Sequence, residues 1–310
     1  MKCTVCGKPA IVKFPAHNSA FCEEHLDAFF LRQVSKTIEK YKMLPPKGRV
    51  VVAISGGKDS LVTAYVLKRL GYEVLGFFVD LGITQNDFSP RSREVVENFC
   101  KEHDIPLEVV DLKEKYGKGI PEVAKRQDRI CAICGVTKRH LMNEYALSVN
   151  AHALATGHTL DDMAKLLLAN LMRWDLHHLA KGIPTLPAEP GFAKKIKPLA
   201  FQSEDEIIAF AKLHNIKPVE AKCPYGREAK YNRYQEALDM LEEKSPGIKR
   251  SFYKNYTKYA YLFEGTQARP PKVNCEVCGF PSVSPVCTFC RTWVVDNEKK
   301  NRINKRRKSS

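Results

Sequence analysis

The chain has 310 residues, 44% hydrophobic and 9% aromatic, with 17 glycines and 18 prolines; this supplies a sizeable core and excludes collagen-like, low-complexity and broadly disordered sequence. Lysine plus arginine outnumber aspartate plus glutamate by 50 to 35, a formal charge of +15 that favours a polyanionic partner, nucleic acid first. No run reaches the ~18 apolar residues of a membrane span, and the opening MKCTVCGKPA lacks the apolar core of a signal peptide, so a soluble, cytoplasmic protein without a membrane partner is expected. Eleven cysteines in such a chain point to metal or redox chemistry rather than to a disulfide framework.

In chain order, Cys3, Cys6, Cys22 and His25 come first, spaced C-x2-C-x15-C-x2-H. Four soft ligands in two close pairs are what two tight turns need to close a tetrahedron around zinc, so residues 1–30 read as a zinc finger. Next, RVVVAIS at 49–55 is a continuous apolar run of strand length, and the helix-periodic SLVTAYVLKRL at 60–70 follows. The connection between them is SGGKDS at 55–60. There Gly56 and Gly57 permit close backbone approach, the helix N-terminus favours an anion, Lys58 adds a point charge, and Asp59 or Ser60 caps the helix or meets magnesium. A Walker A loop needs G-x-x-x-x-G-K-[ST], which is absent, so the nucleotide chemistry differs from cleavage at the γ-phosphate.

The strand–helix alternation continues: a strand at 73–82, a helix at 92–104, a strand at 106–112, a helix at 135–150, a strand at 152–156 and a helix at 161–174. Continuous apolar strands between helices imply an α/β fold, a doubly wound parallel sheet covered on both faces. ATGHTLDDMA at 155–164 is a second strand-to-helix loop, meeting the first at the carboxyl edge of the sheet. Thr156 and Gly157 allow close approach, and Asp161 and Asp162 either hold magnesium or cap the helix. Cys131 and Cys134 with the distant Cys223 are one thiolate short of a closed zinc site. They suit an iron–sulfur cluster with one open iron, or alternatively a persulfide and resolving pair stabilised by Lys138 and Arg139. Cys100, alone on an amphipathic helix, reads as core.

A helix at 204–216 precedes a basic, tyrosine-rich helical stretch at 225–265, with Tyr225, Arg227, Lys230, Tyr231, Arg233, Tyr234, Lys249, Arg250, Tyr253 and Lys254. Cations and stackable rings suit RNA, whereas the helical spacing of Phe252, Tyr256 and Tyr259 suits a buried face. Cys275, Cys278, Cys287 and Cys290, spaced C-x2-C-x8-C-x2-C, form a second zinc knuckle. The expected domains are therefore 1–30, 31–265 and 266–295, followed by a disordered basic tail at 296–310, where NEKKNRINKRRKSS carries seven Lys or Arg residues against one acid.

S-G-G-K-D-S after a strand resembles the PP-loop of ATP pyrophosphatases, which split ATP between the α and β phosphates. The second loop is similar to that family's G-H-N-L-D-D-E-A, with Thr159 and Met163 in place of the Asn and Glu. Taken with C-x2-C-G-x-T-K-R, the C-P-Y element and the two terminal knuckles, in this order over residues 1 to about 295, the chain resembles tRNA 2-thiouridine synthetases of the TtuA type. The resemblance implies a PP-loop, adenine nucleotide alpha hydrolase-like catalytic domain flanked by two zinc fingers. It implies ATP and Mg2+ held by Ala53, Ser55, Gly56, Gly57, Lys58, Asp59, Ser60, Val79, Lys138, Arg139, Gly157 and Asp161. It further implies catalysis through Asp59, Lys138, Asp161, Cys131, Cys134 and Cys223, with a [4Fe-4S] cluster on those three cysteines and two Zn2+ on the terminal sets. A tRNA uridine, 54 or wobble 34, would be thiolated at C2; the partners would be tRNA and a ubiquitin-like carrier with a C-terminal thiocarboxylate, and a homodimer is expected. Two rivals make different demands. Another PP-loop RNA-modifying ligase has no need of the three central cysteines, and a zinc-finger RNA-binding module has no need of the two loops.

Overall fold

The computed structural model of the chain describes residues 1–124, 130–226, 229–265 and 273–295. The basic tail, Arg227 and the side chains of Lys230 and Tyr231 lie outside the described residues.

The chain opens with an antiparallel hairpin, β1 (Val12–Phe14) and β2 (Ser19–Phe21), followed by α1 (Glu23–Lys40). Then come β3 (Arg49–Ala53), α2 (Lys58–Arg69), β4 (Glu73–Asp80), α3 (Phe88–Glu102), β5 (Leu107–Asp111) and the short α4 (Leu112–Tyr116) and α5 (Ile120–Val123). Next are α6 (Ile130–Ser148), β6 (Ala153–Ala155), α7 (Leu160–Leu171), α8 (Leu176–Ala180), β7 (Thr185–Leu186), β8 (Lys195–Ile196) and α9 (Glu204–Leu213). Two further helices, α10 (Ala229–Lys244) and α11 (Ile248–Tyr259), lead to a second small hairpin, β9 (Val273–Asn274) and β10 (Pro281–Ser282), and to α12 (Thr288–Cys290).

Six strands form one sheet in the order β5-β4-β3-β6-β8-β7, parallel throughout except for β7. β3 is central because its valines fill both faces. Val50 and Val52 join Phe30, Leu67 and Phe210 in one core, while Val51 points to the opposite core with Phe77, Leu141 and Trp293. The doubly wound sheet expected from the alternation is therefore present, with an antiparallel edge that it did not foretell. Strands of two residues carry no periodicity to read.

One boundary matters for chemistry. The helix expected to start at 135 begins at Ile130, so Cys131 and Cys134 sit three residues apart on the first turns of α6. Nothing in RICAIC breaks a helix, and Ile130 is buried.

Both terminal knuckles are packed onto the catalytic domain. At the N-terminal one, Phe14, Phe21, Leu26 and Phe29 form a small core, and His17 Nε2 lies 2.6 Å from Glu206 Oε1 on α9. Arg250 on α11 also donates to that oxygen, at 2.7 Å. At the C-terminal one, the buried Trp293 donates to Thr137 Oγ1 at 2.8 Å, and Phe289 stacks on His140 with ring centroids 3.7 Å apart. Both contacts fall on α6, the helix that carries Cys131 and Cys134.

Candidate active site

The first loop follows β3 directly. Gly56 has φ +84°, where a side chain is strained, and a Cβ there would lie 3.3 Å from Val219 Cγ1. Gly57 is the N-cap of α2 and supplies no side-chain cap, so the first N–H groups of this 12-residue helix face outward. Ser60 is not available as a metal ligand, because its Oγ donates to Gly57 O at 2.8 Å and accepts from Ser55 N at 3.1 Å. It braces the loop. An open helix N-terminus above a braced glycine turn is a phosphate site by geometry and dipole.

Lys58 Nζ stands 2.8 Å from Glu204 Oε1 and 3.0 Å from Asp59 Oδ1. Burial disfavours its charge, but the two carboxylates outweigh this and raise its pKa. Burial pushes the Asp59 carboxyl up against the pull of Lys58. Asp59 Oδ1 is shielded from water and has no hydrogen bond in proper geometry, a buried acceptor that suits a cation or its hydration shell.

The second loop behaves differently. Thr159 Oγ1 accepts from Asp162 N at 3.2 Å while Asp162 Oδ2 accepts from Thr159 N at 3.2 Å, a capping box that closes the N-terminus of α7. Thr159 thus has a structural role where the family pattern carries Asn, and Asp162 is the capping member of the aspartate pair. Gly157 is needed for the protein's own packing: a Cβ there would lie 2.8 Å from Asp59 C and Ser60 N. The two loops lean on each other, and only the first leaves its helix open to an anion.

Asp161 is buried and fully engaged. Its Oδ1 accepts from Lys249 Nζ at 2.6 Å and Gln235 Nε2 at 3.3 Å, and its Oδ2 accepts from Glu204 N at 2.8 Å. Burial alone would raise its pKa, yet these donors outweigh burial and lower it. Lys249 also pairs with Asp239, and so it belongs to this site and not to an exposed RNA face. Tyr253 is fully buried and donates to Gly182 O at 3.0 Å, Tyr256 is buried, and Arg250 is committed to Glu206; the basic helical stretch therefore offers RNA fewer groups than its composition suggests.

The segment carrying Cys223 lies over the first loop, since Val219 N donates to Gly56 O at 2.9 Å. Two residues beyond Cys223, Tyr225 O accepts from Cys131 Sγ at 3.1 Å. One short stretch of backbone therefore connects the phosphate loop to the thiols of α6. Burial raises the Cys134 pKa; the nearby Lys138 opposes this, and Cys223 and Cys131 add to it. Among the described residues, the sulfur sets lying within 4.8 Å of one another are the terminal ones, Cys3, Cys6, Cys22 with His25, and Cys275, Cys278, Cys287, Cys290. These fit a single tetrahedral ion. The central triad is not among these sets, and a cluster, which would take each thiolate on a separate iron, would not require the sulfurs to approach as closely as a single ion does. In each terminal set one thiol, Cys3 or Cys275, is brought down to about 6: desolvation opposes the shift, but backbone N–H groups directed at the sulfur outweigh it.

Ala53 ends β3 and Val79 is the penultimate residue of the neighbouring parallel strand β4, while Lys138 and Arg139 follow the thiols on α6. Sequence reading missed Glu204 and Val219, and it took Tyr225 and Lys249 for RNA contacts where the structure gives them Cys131 and Asp161 as partners. All four act through contacts between segments remote in the chain.

Residues 27–236 match the model of the PP-loop domain, and residues 2–27 match that of the 2-thiouridine synthetase TtuA N-terminal LIM domain. The tRNA-5-methyluridine(54) 2-sulfurtransferase of Pyrococcus horikoshii is 42% identical over 298 residues, covering 96% of this chain and 95% of the relative. That of Thermus thermophilus is 39% identical, covering 94% and 91%. Among solved structures, the U34-tRNA thiolase NcsA from Methanococcus maripaludis with its [4Fe-4S] cluster superposes with a TM-score of 0.79 at 29% identity, covering 94% of this chain and 95% of that one. With the phosphate loop, the three thiols and both knuckles in place, the chain belongs to the PP-loop enzymes of the TtuA type, the tRNA 2-thiouridine synthetases.

Proposed function

We propose that this enzyme activates a tRNA uridine with ATP and replaces the C2 oxygen by sulfur. The observation that supports this is the backbone path in which Val219 N donates to Gly56 O and Cys131 Sγ donates to Tyr225 O, so that the chain around Cys223 runs from the glycine loop to the start of α6.

Uracil O2 is a very poor leaving group. Gly56, Gly57 and the open start of α2 hold the triphosphate, Lys58 exchanges Glu204 for phosphate oxygens, and Asp59 Oδ1 is the acceptor that fits Mg2+. O2 attacks the α-phosphate and pyrophosphate leaves; sulfide-level sulfur, HS− or its thiocarboxylate equivalent, then adds at C2, loses its proton, and AMP departs with the original oxygen, with no net redox change. A [4Fe-4S] cluster would be held by Cys131, Cys134 and Cys223, and with three protein thiolates it would supply a site for an incoming sulfur ligand. Lys138, one turn beyond Cys134, supplies positive charge beside the thiols and toward the leaving phosphate. Asp161, saturated by protein donors, fixes the second loop.

The two terminal sets hold Zn2+ in closed, structural sites. Uridine 54 is the favoured position, supported by the 42% identical relative; uridine 34 is the second reading, supported by the TM-score of 0.79 to NcsA. A cytoplasmic location is supported by a 30% identical relative from Drosophila mojavensis, which is named cytoplasmic tRNA 2-thiolation protein 1. The ubiquitin-like thiocarboxylate carrier and the homodimer rest on the family resemblance.

Cys131→Ala, Cys134→Ala or Cys223→Ala should abolish thiolation in anaerobic assays while ATP affinity by calorimetry stays within about twofold, which is within ~0.4 kcal/mol. Nucleoside analysis of tRNA reacted with the wild-type enzyme identifies the base and the position. A triad variant that thiolates at the wild-type rate overturns the cluster role.

A further inference from the structure

Trp174 is 72% exposed and sits at φ +50°, the one aromatic among the described non-glycine residues with positive φ. A bulky side chain held in that region costs on the order of 1–3 kcal/mol, and such strain collects at functional positions. Met172, beside it, is 70% exposed. Trp174 lies between Arg173 and Asp175, both of which line a cavity of about 510 Å3 bounded by α7, α8 and the end of β8. The cavity wall includes the apolar Leu167, Leu179 and Tyr256, together with Lys181 and Lys197.

The cations here form a band. Lys195 and Lys197 project from the same sheet face because Ile196, between them, is buried on the other. Among the described residues neither is in an ion pair; Lys197 Nζ donates only to Ile183 O at 3.1 Å, and Lys195 lies over the Phe192 ring. Burial, with the charge of Lys195, lowers Lys197 to about 8; burial, with the charges of Arg139 and Lys181, outweighs the carboxylate of Glu189 and lowers Lys195. Cations that depress one another are waiting for an anion. β8 is parallel to β6, and Thr156 N donates to Ile196 O at 3.1 Å, so Lys197 stands at the same carboxyl edge as the two loops, while Arg139 links the band to the thiols of α6.

We propose that this cavity and Trp174 form an RNA docking site: an unstacked base lies against the Trp174 ring and its phosphates are held by Lys197, Lys195 and Lys181. The proposal rests on the tRNA reading above. It replaces the expected RNA face at 225–261 with a positively charged, concave surface next to the reaction site, the combination that splayed RNA bases require.

The chain has two tryptophans, and Trp293 is fully buried, so surface-sensitive emission reports Trp174. Titration of the full-length enzyme with tRNA should quench that emission. Trp174→Phe should abolish the quench and retain most of the affinity, and Trp174→Ala should weaken binding by about tenfold, the worth of one stacked base. Lys195→Gln, Lys181→Gln and Lys197→Gln should each flatten the slope of log affinity against log salt by about one, with ATP affinity unchanged. Leu166→Trp, which fills the cavity without changing charge, should also weaken tRNA binding. Should wild-type protein fail to bind tRNA at all, the tRNA reading itself is lost. Binding of tRNA without a change in Trp174 emission overturns the docking site, as does loss of ATP affinity in the lysine variants, which would assign the cations to the nucleotide. Should Lys197→Gln not fold, the exposed Lys181 and Trp174 variants decide the question.

Discussion

At the residue scale, Lys249 and Asp161 show how one ion pair joins two parts of the molecule. Both side chains are 8% exposed, and the pair ties α11 to the start of α7. Removing one partner leaves the other as a buried charge, so Lys249→Met should destabilise the fold by about 3–5 kcal/mol in denaturant unfolding, and Lys249→Arg by less. The pH dependence follows from the lowered pKa of Asp161. Its stabilising contribution is complete above the ordinary value of 3.8 and is lost as pH falls through the lower folded value. Acid unfolding curves of wild type and Asp161→Asn should therefore converge below that range. Gly157→Ala forces a Cβ to within 2.8 Å of backbone at Asp59 and Ser60, with no flexible side chain to yield. Overpacking of ~1–3 kcal/mol on the phosphate loop should weaken ATP binding by about tenfold or more, as read by calorimetry.

At the element scale, α6 is the piece on which the chemistry depends. It carries Cys131, Cys134, Lys138 and Arg139, and it is held from outside by Trp293 and Phe289 of the C-terminal knuckle. The zinc expected there acts on catalysis through packing. Cys275→Ser, or zinc chelation, should raise hydrogen exchange along α6 and reduce thiolation before ATP affinity changes. The two strand-to-helix loops look alike in sequence, yet Thr159 and Asp162 cap α7 while Gly57 leaves α2 uncapped. The uncapped helix is the one with N–H groups left for an anion.

At the scale of the whole molecule, a formal charge of +15 implies that tRNA affinity is dominated by counterion release. With about six phosphate contacts, raising salt from ~50 to ~200 mM should cut affinity on the order of a thousandfold in filter binding or anisotropy. Affinity indifferent to salt would count heavily against an RNA substrate. The composition gives the sign of the field, but its placement is tertiary. Lys249 and Arg250 are spent on Asp161 and Glu206, whereas Lys197 donates to a backbone carbonyl and Lys195, near Glu189, is still dominated by burial and neighbouring cations.

What the sequence determined by itself is whatever depends on neighbours in the chain. The glycine loop between strand and helix, the knuckle spacings and the alternation that makes a parallel sheet are all local, and a few residues suffice to specify turns, caps and strand faces. What only the tertiary structure decided depends on pairs far apart: Gly157 against Asp59, Val219 over Gly56, Tyr225 beside Cys131, Lys249 in Asp161. A lysine destined for a buried carboxylate and one destined for solvent read alike in sequence. Their roles are fixed by which remote backbone comes to lie within hydrogen-bonding distance once the core has closed.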